Sequence, residues 1–63
     1  MNIDYSLHKI LESGKHTPSE IQGLLQEQGF KISLEKLTSH LNKMVGLGIA
    51  SKHPDDTFTA QPH

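Results

Sequence analysis

The sequence predicts an α+β fold, mostly α: three helices followed by a C-terminal β-hairpin. Three observations predict it. Apolar residues recur at helical spacing in three successive stretches, and capping residues bracket the second and third of these. After Gly48 the pattern changes to a period of two, with a turn composition in its middle. One domain is expected over 1–63, with residues 60–63 as a frayed tail.

The first helix, expected near 4–13, rests on Ile3, Leu7, Ile10 and Leu11, with Gly14 as its stop. Asp4 and Ser6 are alternative N-caps. The second, near 18–28, opens on Thr17-Pro18-Ser19-Glu20. A capping threonine, a proline at the first helical position and a glutamate at the third make a capping box. Ile21, Leu24 and Leu25 form its apolar stripe, and Gly29 closes it. Gly23 inside this helix costs about 1 kcal/mol relative to alanine.

Phe30 and Ile32 flank Lys31 in a short connector, and Ser33 is a natural N-cap for the third helix, expected near 33–47. Leu34, Leu37, Leu41, Met44 and Val45 fall in one sector of that helix, opposite Glu35, Lys36, Ser39 and Lys43. Gly48 supplies the left-handed cap. Residues 49–53 and 57–60 read as short strands around Pro54-Asp55-Asp56, with Ile49 and Phe58 expected to fold over the helices.

Composition narrows the function classes. The chain has 63 residues, six lysines, no arginine, seven carboxylates, five histidines and no cysteine, for a net charge of −1. Disulfides, cysteine-type zinc sites and thiol catalysis are excluded. The histidines at 8, 16, 40, 53 and 63 show no metal-ligand spacing, so no metal and no cofactor is expected. Gly46-Leu47-Gly48 ends a helix before a strand, the reverse of the order in a nucleotide loop, and no enzymatic activity is expected. No apolar run approaches the roughly 20 residues that span a bilayer, so a soluble, cytoplasmic chain without a membrane partner is expected.

The stretches T-P-S-E-I-Q-G-L-L-Q-E-Q-G and I-S-L-E-K-L-T-S-H-L-N-K-M-V-G-L-G-I-A-S-K, within residues 17–60, resemble the winged helix-turn-helix superfamily. The nearest look is to the DNA-binding part of ferric-uptake-regulator-like bacterial regulators. The 63 residues leave no room for the metal-binding dimerisation domain of those regulators, so metal sensing is not expected to transfer. The resemblance implies a sequence-specific transcription regulator on double-stranded DNA, acting as a homodimer, with the third helix in the major groove. Glu35, Lys36, Ser39, His40, Asn42 and Lys43 are then the base-reading candidates. Thr17, Ser19, Lys31 and Lys52 are the phosphate candidates, together with the amides near Glu20.

Charge divides unevenly along the chain. Residues 1–30 sum to −2, residues 31–53 to +3, and Asp55 with Asp56 adds −2. The positive segment is the one such a fold presents to DNA. The missing arginine and the acidic hairpin tip favour an alternative, a winged-helix adaptor that binds a protein partner. Leu47 and Tyr5, if exposed, belong to a dimer or partner surface.

Overall fold

The computed structural model describes residues 3–61. Helix α1 spans Ile3–Glu12, α2 Pro18–Glu27 and α3 Leu34–Gly46; strands β1 (Ala50–Lys52) and β2 (Phe58–Ala60) complete the chain order. The strands pair antiparallel, with Ala50 opposite Ala60, Ser51 opposite Thr59 and Lys52 opposite Phe58. The fold is therefore mostly helical with one two-stranded sheet, as the change of period predicts.

Each apolar stripe contributes to one core. Leu7, Ile10 and Leu11 of α1 meet Ile21 and Leu25 of α2, Leu37, Leu41 and Met44 of α3, and Ala50 and Phe58 of the hairpin. Helix α1 packs on α2 and β2, α2 on α3, and α3 on β1. Leu24 and Val45 are half-buried at the margins, while Leu34, expected in the stripe, is exposed. No helix among the described residues is long and apolar enough to cross a membrane.

The helix ends follow from their capping residues. At the end of α2, the Phe30 N–H donates to Leu25 O (2.9 Å) and the Gly29 N–H to Gln26 O (3.0 Å). At the end of α3, Ile49 donates to Met44 O and Gly48 to Val45 O, both at 3.0 Å. These are Schellman motifs, and each needs a left-handed residue: Gly29 has φ 91° and Gly48 φ 79°. The second motif explains why Ile49 does not fold inward. As the residue after the left-handed glycine it lies beside Met44 on the surface, 44% exposed, and Ala50 takes the buried place.

Two further expectations change. Asp4 and Ser6 both lie inside α1, which is already helical at Ile3, and Ser6 is buried. The tail is tied down to residue 61: Ala60 belongs to β2, the Gln61 N–H donates to Ile49 O (3.2 Å), and the Ser51 hydroxyl donates to Gln61 Oε1. Residues 62 and 63 lie outside the described part.

One pairing has no counterpart in the sequence reading. His16, between α1 and α2, exchanges both backbone hydrogen bonds with Phe58 (3.3 and 2.8 Å). The hairpin is thereby attached to the front of the chain, and the Phe58 ring, 1% exposed, closes the core.

Gly23 sits in α2 with ordinary helical backbone and nothing within 4 Å of where a Cβ would stand. Gly23→Ala is therefore expected to raise stability by about 1 kcal/mol, since alanine restricts the unfolded chain and meets no clash. The urea midpoint should rise at an unchanged slope; an unchanged or lower midpoint refutes this reading.

Candidate functional site

Helix α3 is the element that the core holds while leaving most of its circumference exposed. Leu37, Leu41 and Met44 anchor it, and Ser33 caps it by accepting from the Lys36 N–H (3.2 Å). Its remaining residues divide into two groups. Glu35, Ser39 and Asn42 share a shallow, open depression with Leu34 and Thr38 on the outward face. Thr38 lies one turn and Leu34 two turns before Asn42, so helical spacing alone puts both on its face.

Lys36, His40 and Lys43 lie on the side of α3 that borders α1. Lys36 and His40 line a groove with Ile3, Asp4 and Leu7 of α1, and Lys43 lines its continuation with His8, Leu47 and Ile49. His40 bridges this groove: its Nε2 stands 3.0 Å from Asp4 Oδ1. His40 is thus held by α1 rather than directed outward with Ser39. The lysine ammonium groups are exposed, and neither is in an ion pair among the described residues. Long lysine stems let both charges swing from the groove margin toward the outward face.

The phosphate candidates are also separated. The Thr17 N–H donates to Glu20 Oε1 (2.9 Å) and the Glu20 N–H donates to Thr17 Oγ1 (3.3 Å), completing the capping box. The N-terminus of α2 therefore already holds a carboxylate where a phosphate was expected. The bond from the Thr17 N–H first, and then one that the Thr17 hydroxyl donates to the same Oε1 (3.2 Å), hold the Glu20 carboxyl below its ordinary value. Ser19 is exposed beside them. Lys31 stands exposed in the connector, whose position is fixed by Gln22 Nε2 donating to Ile32 O (2.9 Å).

A lowered folded-state pKa means that the Glu20 contribution is present above the ordinary carboxylate value of 4.5 and is lost as pH falls through the lower folded value. Glu20→Gln, which cannot ionise, should be less stable than the native chain at neutral pH. That difference in urea midpoint is expected to shrink below about pH 4.5. A difference constant from neutral pH to pH 3 would show that the charge has no part in the cap.

Lys52, the hairpin candidate, is drawn toward its own tip. Its Nζ lies 3.8 Å from Asp56 Oδ1 and 6.0 Å from the Phe58 ring centroid. Asp55 accepts from the Thr57 hydroxyl (2.6 Å), which with nearby Lys15 holds its carboxyl below the ordinary value. Lys52 thus offsets part of the charge at the acidic tip. Asp56 takes the left-handed conformation (φ 67°) that aspartate tolerates in turns.

The other three histidines among the described residues have partners close in sequence. His8 Nε2 lies 3.8 Å from Glu12, His53 Nε2 2.8 Å from the Thr59 hydroxyl, and His16 Nε2 3.1 Å from the Ser13 hydroxyl. The described residues contain no group of three or more histidines and carboxylates placed to hold a metal ion. No family model, no curated protein and no solved structure matches this chain significantly.

Proposed function

We propose that the chain is a small winged-helix DNA-binding module that acts as a transcription regulator, with α3 lying in the major groove. The supporting observation is the exposed polar face of α3, anchored by three buried side chains and flanked by two lysines outside any ion pair among the described residues. The sequence resemblance carried by residues 17–60 suggests the docking mode; the residues supply the chemistry.

In this reading Asn42 and Ser39 face base edges. The Asn42 amide suits adenine, which offers an acceptor and a donor side by side, and the Glu35 carboxylate suits the cytosine amino group. Lys36 and Lys43 take guanine acceptors or the phosphates bordering the groove. Lys31 reaches the backbone from the connector and Lys52 from the hairpin. Phosphate approach at Thr17 and Ser19 requires the Glu20 carboxylate to move aside. About three to five phosphate contacts per chain give weak, strongly salt-dependent binding, so tight occupancy of a site calls for two copies.

The test is a titration of the isotopically labelled protein with random-sequence duplex DNA at low salt. Amide shifts in residues 33–47, with smaller ones at 31 and 52, are the expected result. Undisturbed amides throughout 33–47 would reject DNA binding and favour the protein-adaptor reading, for which the exposed Leu34 and Glu35 on the same face provide a mixed apolar and acidic surface.

A further inference from the structure

The polar face of α3 contains an apolar strip. Leu34, 41% exposed, and half-buried Thr38 share the outward depression with the exposed Glu35, Ser39 and Asn42. Leu34, Thr38 and Asn42 follow one another at intervals of four residues, about 6 Å along the axis, and so form one stripe. The stripe begins with an aliphatic side chain, continues with a methyl group beside a hydroxyl, and ends with an amide. The two lysines of the helix stand outside it, on the side that borders α1.

We propose that this stripe reads thymine: Leu34 and Thr38 receive the 5-methyl groups of two thymines, and Asn42 holds an adenine beside them. The inference rests on the DNA reading and names the bases beneath α3. In the major groove thymine is the one unmodified base that presents an apolar group, and adenine the one that matches an amide with both an acceptor and a donor. Seating the methyl groups against Leu34 and Thr38 covers an exposed aliphatic surface that would otherwise face polar base edges. Base pairs rise by about 3.4 Å, so the separation of about 6 Å between Leu34 and Thr38 spans two of them.

Guanine finds no comparable partner in the depression. Its usual reader is arginine, and the chain has none. The same absence selects between the two pyrimidines that carry a 5-methyl group. 5-Methylcytosine is paired with guanine, which calls for the missing arginine, whereas thymine is paired with adenine, which Asn42 suits.

The test takes a duplex that the native chain selects from a random pool and replaces its thymines, one at a time, by deoxyuridine. Deoxyuridine differs only in lacking the methyl group. At two positions no more than about two base pairs apart, the native chain should bind about fourfold more weakly. Thr38→Ser keeps the hydroxyl and removes the methyl, so at one of these positions it should bind thymine and deoxyuridine alike. Thr38→Val should retain the preference there, and Leu34→Ala should cancel it at the other. Amide spectra of each variant verify the fold. Binding through α3 with no loss at any thymine overturns this inference and leaves the DNA reading in place. The same holds if Thr38→Ser keeps every preference, or if 5-methylcytosine paired with guanine replaces thymine paired with adenine without loss. Undisturbed α3 amides on random-sequence duplex remove both readings.

Discussion

Phe58→Ala is expected to leave the domain largely unfolded at room temperature. The ring is 1% exposed, joins the buried residues of all three helices in one core, and sits on the strand residue that exchanges hydrogen bonds with His16. Removing a buried phenylalanine side chain costs about 3–5 kcal/mol. A core of this size supplies rarely more than about 3–5 kcal/mol of net stability, so the loss consumes the whole margin. Amide dispersion and the cooperative thermal transition should both disappear. Phe58→Leu, which keeps most of the volume, should retain a transition at reduced midpoint. An alanine variant that still melts cooperatively within about 1 kcal/mol of the native chain would mean that the three helices hold without the hairpin.

The second large effect concerns DNA. Lys36→Ala combined with Lys43→Ala should weaken binding about 100-fold on a duplex selected by the native chain from a random pool. The dependence of log affinity on log salt should become shallower by about two, because two counterion-releasing contacts are gone. Lys9→Ala with Lys15→Ala removes the same charge from elements outside the proposed groove face and serves as the comparison. A drop of equal size in both pairs would reduce the effect to net charge, and an unchanged affinity in the first pair would end the groove model.

Local signals in the sequence were the dependable ones. Thr17, Pro18 and Glu20 announce a capping box because all its bonds lie within one turn, and Leu37, Leu41 and Met44 announce the buried side of α3 because helical spacing alone aligns them. Ile49 was misplaced because a one-residue slip in a three-residue strand exchanges the inner and outer faces, and the Schellman motif at Gly48 decides that slip.

The candidate site was legible only as a list. At 100° per residue Glu35, Lys36, Ser39, Asn42 and Lys43 fall about 100° or more from Leu37, while His40 falls about 60° from it, at the margin of the apolar sector. Which of them face open solvent depends on where α1 lies. The Asp4–His40 contact joins residues on different helices, and nothing in local spacing predicts it. The influence of Lys15 on the Asp55 carboxyl escaped for the same reason, since Lys15 comes from the segment between α1 and α2, whereas Lys52 and Asp56 are only four residues apart.

The His16–Phe58 pairing has a consequence for the life of the chain during synthesis. It links positions 42 residues apart, so the core stays open until Phe58 has left the ribosome. Until then the apolar stripes of all three helices lack the ring that closes over them, and a nascent chain stalled before residue 58 exposes them to chaperones and proteases. Closure of this core thus waits on one aromatic residue in β2.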